Sequence, residues 1–176
     1  YVVAGGAMSF GSGGYDLWVI KLDPTGTILW QTVYGGFADD LAFSIQQTSD
    51  TGYIVAGRTD SFGAGGTDFW VLKLDATGAV MWQNTYGGGA VDWAFGIEQT
   101  LDGSYIVAGR TDSYGAGGPD FWILKLDNLG NILWQNTYSY SDGNEGWGSL
   151  SSAIEYEDGY LLAGHTCLTY KEDLYL

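Results

Sequence analysis

The chain has 176 residues and a formal net charge of −15, and its charged residues make up only 15% of the sequence. Hydrophobic residues account for 45%, which is too many for a disordered chain. No apolar run approaches the roughly 18 residues that a membrane-spanning helix needs. The strong negative charge argues against nucleic-acid binding, because a phosphate backbone would be repelled. A single Cys and a single His exclude a disulfide framework and a metal site built from several such residues.

The sequence repeats itself with a step of 52 residues. Tyr1, Tyr53 and Tyr105 occupy one column of the repeat, and the stretches that begin at Gly52 and Ser104 are nearly identical over dozens of residues. We predict a single domain of about 3.4 copies, divided into units 1–35, 36–87, 88–139 and 140–176. Because the first and last units are incomplete, we expect a processed piece or part of a longer array.

Each complete unit contains four short runs rich in β-branched and aromatic residues, which is the composition of strands. In the third unit these runs are 92–100, 105–111, 120–127 and 131–138. The spacing in the first run also fits a short helix, but its length and its flanking turns favour a strand. The connections 75–78 and 101–103 contain Asp and Gly, which predicts tight turns between antiparallel neighbours.

Four strands in about 50 residues is the size of a β-propeller blade. We therefore predict an all-β fold, a β-propeller or partial propeller built of four-stranded antiparallel blades. Radial packing of blades buries both faces of each sheet, which explains why several runs are apolar throughout. A parallel β-solenoid is the structural alternative, although the Asp-Gly turns favour antiparallel neighbours.

The residues 65–88, GGTDFWVLKLDATGAVMWQNTYGG, are followed at 92–111 by DWAFGIEQTLDGSYIVAGRT. This string resembles the SBBP-type β-propeller repeat of large secreted or surface-attached prokaryotic proteins, and the resemblance covers essentially the whole chain. It implies a propeller and an extracellular or cell-surface location, and it implies no particular activity. It also implies that the run 94–100 is the inner strand of a blade and that 131–138 is the outer strand.

The run 74–78 with Trp82 is similar to the tryptophan-docking motif of quinoprotein propellers, and it recurs at 22–26 with Trp30 and less well at 126–130 with Trp134. In those enzymes the motif is structural, because the Trp packs between blades. Their cofactor site needs other residues, including calcium-binding carboxylates and usually a vicinal disulfide that the lone Cys167 cannot form. The resemblance therefore implies a structural role for the motif.

A residue that recurs in every copy is interpreted as structural. By this criterion the Trp columns form core or inter-blade contacts, and the Lys and Arg columns are partners of the Asp columns or exposed side chains. The Asp columns are interpreted mainly as turn caps and strand-end acceptors. The alternative is calcium, which takes 6–8 oxygen ligands. The candidate metal ligands are Asp39, Asp40, Asp60 and Asp68.

The segment 139–152 breaks the repeat and combines aromatic, amide and acidic side chains with glycines. Such a combination on a loop suits recognition of a protein or a glycan, and sequence drift near the end of an array is the alternative. The candidate binding residues are Tyr140, Asp142, Asn144, Glu145 and Trp147.

His165 and Cys167 stand two residues apart in a run that reads as a strand, so their side chains share a face. A catalytic pair also needs a third group that orients the base. We interpret this pair as drift and predict no catalytic residue.

Together these observations predict a non-enzymatic extracellular scaffold or adhesion module that binds protein or glycan at the cell surface. No cofactor is expected apart from the calcium considered above. One alternative is a structural subunit of a surface assembly, a homo-oligomer in which neighbouring copies complete the propeller. The other is a calcium-dependent polysaccharide-active or quinoprotein-like enzyme.

Overall fold

The computed structural model describes residues 1–9, 11–115, 118–139, 147–157 and 159–167, with the side chains of 147–149 and 165–167 outside that description. Within these ranges the regular structure consists of β-strands, and no helix is long and apolar enough to cross a membrane. The strands are β1 Val2–Ala7, β2 Asp16–Leu22, β3 Ile28–Tyr34, β4 Asp40–Gln47, β5 Tyr53–Thr59, β6 Asp68–Leu74, β7 Val80–Tyr86, β8 Asp92–Gln99, β9 Tyr105–Thr111, β10 Asp120–Leu126, β11 Ile132–Tyr138, β12 Trp147–Tyr156 and β13 Gly159–Cys167.

These strands form four successive antiparallel sheets among the described residues. The first sheet has the order β1-β2-β3, the second β4-β5-β6-β7, the third β8-β9-β10-β11 and the fourth β12-β13. Trp70 lies opposite Gly57 in the second sheet as Trp122 lies opposite Gly109 in the third, so the two sheets have the same register. The predicted all-β repeat with four-stranded antiparallel sheets is therefore confirmed for these two sheets, and the run 92–100 forms a strand rather than a helix.

The turns between β2 and β3, β6 and β7, and β10 and β11 are built on an aspartate, as the sequence predicts. In the second sheet, Asp75 Oδ1 accepts hydrogen bonds from the backbone N of Thr77 at 2.8 Å and of Ala79 at 2.9 Å. Gly78 follows with φ of +88°, a conformation that a side chain disfavours. The Thr77 hydroxyl also donates to Asp75 Oδ1. This bond has the largest effect in lowering the pKa of Asp75, and the backbone bonds lower it further.

Successive sheets pack face to face through apolar side chains. Strand β5 shows the principle, because its side chains alternate between the two faces of the sheet. Tyr53 and Val55 pack towards the first sheet, whereas Ile54 and Ala56 pack towards the third. All four are buried. Both faces of the second sheet are therefore covered, which accounts for strand sequences that are apolar throughout.

Two further contacts join one sheet to the next. On the edge strand β7, Trp82 Nε1 donates to Asn128 O at 3.1 Å, and the Tyr86 hydroxyl donates to Gly130 O at 2.6 Å. On the opposite edge, the backbone N of Gln99 in β8 donates to the side chain of Gln46 in β4 at 2.6 Å. The role of the Trp82 motif in packing between sheets is thus confirmed.

Candidate functional site

Most of the binding residues predicted in the irregular segment lie outside the described residues. This applies to Tyr140, Asp142, Asn144 and Glu145. Trp147 begins β12, opposite Cys167 in β13, and only its backbone is described. The predicted binding site in this segment stays a prediction.

The four predicted metal ligands are not gathered around one point. Asp39 and Asp60 lie on either side of Arg58, with Asp39 Oδ2 at 3.9 Å and Asp60 Oδ1 at 3.5 Å from its guanidinium nitrogens. Asp40 instead accepts hydrogen bonds from Ser61 Oγ at 2.7 Å and from Gly36 N at 2.8 Å. These three carboxylates serve as ion-pair partners and hydrogen-bond acceptors within the protein.

Asp68, the fourth predicted ligand, lies beside Asp92 of the third sheet. A Cβ placed on Gly87 would come within 1.8 Å of Asp68 Oδ1 and 2.7 Å of Asp92 Oδ2, so the two carboxylates flank the same glycine. No cluster of three or more His, Cys, Asp or Glu suited to a metal ion occurs in the described ranges. The calcium site stays a prediction.

Buried lysines of the repeat pair with aspartates, as the sequence predicts. Lys73 is 3% exposed and its Nζ lies 2.8 Å from Asp50 Oδ2. This hydrogen-bonded lysine is the main reason that the pKa of Asp50 falls to about 2. In the third sheet Lys125 Nζ lies 3.4 Å from Asp102 Oδ1. There the hydrogen bond from Thr100 contributes most to lowering the pKa of Asp102.

A pocket that sequence reasoning missed lies on the second sheet, on the side that faces the first. Its cavity of about 320 Å³ is lined by two aromatic rings, two amide residues and a threonine, namely Phe62, Trp70, Gln83, Asn84 and Thr85. The ring centroids of Phe62 and Trp70 are 5.6 Å apart. Trp70 is buried, whereas Phe62 is exposed, so Phe62 offers the accessible ring.

The third sheet has an equivalent pocket of about 200 Å³, on the side that faces the second sheet. It is lined by the residues 52 positions further along the chain, namely Tyr114, Trp122, Gln135, Asn136 and Thr137. The ring centroids of Tyr114 and Trp122 are 5.0 Å apart. The Tyr114 hydroxyl donates to Gly87 O at 2.7 Å, which holds this ring in place.

The strand register shows which polar groups each pocket presents. Thr85 lies opposite Trp70 on the neighbouring strand, and Gln83 lies two residues before Thr85. Because side chains alternate along a strand, both Thr85 and Gln83 project from the same face of the sheet as Trp70. Asn84 points the other way and donates its side-chain amide to Gly130 O at 3.3 Å. In the third sheet Gln135 Oε1 accepts from Trp122 Nε1 at 3.2 Å.

The first sheet carries a weaker version of the same surface. Trp18 and Gln31 occupy the Trp and Gln columns, but Val33 stands in place of the threonine. The corresponding aromatic position, Phe10, lies outside the described residues. The polar groups of the pocket are thus complete in the second and third sheets.

The sequence did contain a signal for these pockets. The runs at 82–86 and 134–138 are identical, WQNTY, although their middle residues are polar and lie on edge strands. The Trp columns were interpreted as core, and the burial of Trp70 and Trp122 confirms this. Only the sheet register shows that Gln83 and Thr85 lie on the same face as Trp70.

His165 and Cys167 lie on β13 opposite Ser149 and Trp147, as expected for residues of one strand. Their side chains are outside the described part of the chain.

No protein-family model matches the chain, and no curated protein is similar to it in sequence. The resemblance to the SBBP-type repeat therefore rests on the residues quoted above and stays a prediction.

Proposed function

We propose that this chain is a non-enzymatic, multivalent carbohydrate-binding module, with one sugar site on each of the second and third sheets. The observation that carries the proposal is the recurrence of the same pocket after 52 residues. A repeated pocket supports multivalent binding, because an enzyme needs only one active centre.

The lining of the pockets fits a sugar. The exposed rings of Phe62 and Tyr114 offer an apolar surface to the C–H face of a pyranose, and aromatic rings combine apolar area with rigidity. The side chains of Gln83 and Thr85 offer both donors and acceptors to sugar hydroxyls. Three of the five residues that line each pocket are polar, and convergent polar groups beside an apolar surface are a usual feature of a ligand site.

The charge of the molecule favours a neutral sugar. No carboxylate and no cation lines either pocket, and the chain carries a net charge of −15, which disfavours acidic glycans. The same linings contain no carboxyl pair of the kind that glycoside hydrolysis uses. Binding without cleavage is therefore the activity that these pockets support.

The arrangement of sites favours extended or clustered glycans. Two sites held on successive sheets bind one chain together, and linking two weak sites raises the overall avidity about 10²–10⁴-fold. We further propose that the sheets are blades of a β-propeller, which the SBBP-type resemblance implies. Because the same resemblance implies it, we also propose an extracellular or cell-surface location, where such glycans occur.

The proposal is tested with three matched substitutions at one strand position. An array of neutral oligosaccharides first identifies a ligand for the unmodified chain, and calorimetry then measures its binding to Gln83→Ala, Gln135→Ala and the double variant. Gln31→Ala is the control, because Gln31 is also exposed on an outer strand but lies beside Val33. All three glutamines are exposed, so the variants are expected to fold.

We expect each single variant to lose one of two sites, the double variant to lose both, and Gln31→Ala to bind as the unmodified chain does. Binding that survives in the double variant would place the sugar elsewhere on the molecule. If the array retains no neutral glycan at all, the proposed function is wrong.

A further inference from the structure

The two aromatic pockets differ in their lining at one position. Each pocket contains a tryptophan, a glutamine, an asparagine and a threonine at equivalent places in the repeat. The fifth residue is Phe62 in the second-sheet pocket and Tyr114 in the third-sheet pocket. The chain therefore contains the same pocket once with a phenyl ring and once with a ring that carries a hydroxyl group.

The hydroxyl group of Tyr114 ties its ring to the preceding sheet. It donates at 2.7 Å to Gly87 O, directly after the end of β7. Phe62 lies in the equivalent place, since a Cβ added to Gly36 would lie 3.3 Å from its Cζ. The corresponding distance from Gly88 to Cζ of Tyr114 is 3.7 Å. Phe62 thus rests against the preceding sheet without a hydrogen bond, because its side chain has no donor.

The tied ring belongs to the smaller pocket. The ring centroids of Tyr114 and Trp122 are 5.0 Å apart, and the cavity measures about 200 Å³. The ring centroids of Phe62 and Trp70 are 5.6 Å apart, and that cavity measures about 320 Å³. Pockets for drug-sized ligands have volumes of about 300–1,000 Å³. The second-sheet pocket reaches this range, whereas the third-sheet pocket falls below it.

A second bond holds the third-sheet pocket in shape. Trp122 Nε1 donates to Gln135 Oε1 at 3.2 Å, so the Trp ring and the polar side wall are joined. Groups that are fixed before binding lose less conformational freedom when a ligand enters. We therefore expect the third-sheet pocket to keep its small size on binding.

The ring of Phe62 is free to move aside. Its side chain is 41% exposed, so the ring can turn towards solvent without opening the apolar core. Tyr114 would first have to break its bond to Gly87 O. The loss of one neutral hydrogen bond changes an equilibrium by about 2–10-fold, which is the advantage that Phe62 gives to a larger ligand.

We infer that the residue at position 62 or 114 determines the size of the sugar that each pocket accepts. With Phe62, the second-sheet pocket accepts a segment of two or more neutral sugar units. With Tyr114, the third-sheet pocket accepts a single unit. The inference rests on the proposed function and extends it, because the two sites then bind different parts of a glycan.

The test exchanges the two rings through the variants Phe62→Tyr and Tyr114→Phe. The side chains of Phe62 and Tyr114 are 41% and 43% exposed, so both variants are expected to fold, and their melting temperatures check this. Tyr138→Phe is the matched control. It removes a hydroxyl group from an exposed tyrosine of the third sheet that does not line the pocket.

Labelling with 5-fluorotryptophan makes the measurement specific for each pocket. The ¹⁹F resonances of Trp70 and Trp122 report the two pockets separately, and Trp70→Phe and Trp122→Phe assign them. The probes are neutral oligosaccharides of one to four glucose, mannose, galactose or xylose units. The shift of each resonance with probe concentration gives a dissociation constant for each pocket and each length.

The two pockets of the unmodified chain should differ in their length preference. We expect Trp70 to report tighter binding of two-unit probes than of single sugars, and Trp122 to report no gain beyond the first unit. Tyr114→Phe should raise the affinity of the third-sheet pocket for two-unit probes by about 2–10-fold. Phe62→Tyr should lower the affinity of the second-sheet pocket by a similar factor. Tyr138→Phe should leave both pockets unchanged.

The outcomes separate this inference from the proposed function. If both pockets bind sugar but the length preference stays with each sheet after the exchange, the inference is wrong and sugar binding stands. Equal length preference in the two pockets of the unmodified chain would also overturn the inference. If neither tryptophan responds to any probe, the proposed sugar sites are wrong and the inference is overturned with them.

Discussion

The edge strands β7 and β11 of the second and third sheets have the same sequence at 82–86 and 134–138 but different surroundings. Tyr86 is 8% exposed and its hydroxyl bonds Gly130 O of the next sheet, whereas Tyr138 is 49% exposed. Trp70 and Trp122, which face the preceding sheet, are both buried. Equivalent residues are therefore equally covered on the side of the preceding sheet and unequally covered on the side of the following one.

This difference shows that a repeated sequence does not determine how deeply each copy of a residue is buried. A repeated sequence specifies one sheet and the surface by which it packs, but the exposure of that surface depends on its neighbour. Stability contributed by a residue of the repeat must therefore be measured copy by copy.

The largest expected effect concerns Trp70 and Trp122, which are equally buried in the second and third sheets. Trp70→Ala and Trp122→Ala should each lower the free energy of unfolding by about 3–5 kcal/mol, because each removes a fully buried ring and leaves a cavity. Chemical denaturation of both variants measures the effect. If one of the two substitutions is tolerated and the other is not, Trp70 and Trp122 are not equally buried in solution.

A smaller effect separates the two copies of the edge-strand tyrosine, Tyr86 and Tyr138. Tyr86→Phe should lower the free energy of unfolding by about 1 kcal/mol, because Gly130 O loses a buried donor, and Tyr138→Phe should have almost no effect. Burial raises the pKa of Tyr86 to about 12. The stability that the Tyr86 hydroxyl contributes is therefore complete below about pH 10 and is lost as the pH rises through about 12.

Denaturation at neutral and at alkaline pH measures both parts of this prediction. The unmodified chain should weaken between about pH 10 and pH 12, and Tyr86→Phe should weaken less over that interval. Equal losses in Tyr86→Phe and Tyr138→Phe at neutral pH would mean that the two strands have the same surroundings in solution.

The smallest effect distinguishes the two lysines. Lys73→Met should move the pKa of Asp50 from about 2 towards its ordinary value, whereas Lys125→Met should move the pKa of Asp102 less, because Thr100 is the main cause there. The stability that Asp50 contributes is present above the ordinary aspartate pKa and is lost as the pH falls through about 2.

The change in stability from either lysine substitution should be under about 1 kcal/mol, since both aspartates are largely exposed. Carboxyl ¹³C titrations of the two variants test the contrast. An equal rise in the pKa of Asp50 and of Asp102 would show that the lysine acts alike in both sheets.

The sequence predicted the local structure well. The strand 105–111 and the Asp75 turn with Gly78 follow from composition and turn chemistry, and the structure confirms both. Strand ends such as Gln99, predicted as Thr100, differ by one residue, because the last residue of a strand depends on its pairing partner. The sequence left open whether the repeated lysines pair with aspartates or lie exposed, and Lys73 and Lys125 show the pairing.

The predicted binding residues at 140–147 stay a prediction, and the structure adds two pockets that the column analysis did not find. The sequence pointed to the segment that breaks the repeat, whereas the pockets lie among residues that repeat, where Gln83 and Trp70 meet across two strands. Asp68 was proposed as a ligand together with Asp39 and Asp60, but its neighbour is Asp92. Column analysis compares equivalent positions and does not show which different columns meet in space.

The sequence alone determined the 52-residue repeat, the strands and the Asp-Gly turns, because these depend on side-chain alternation and on backbone preferences within a few residues. The tertiary structure decided which face of each sheet is covered, where the aromatic pockets open and that Asp68 lies beside Asp92. These features depend on contacts between strands of different sheets, where burial and charge act between residues far apart in the sequence.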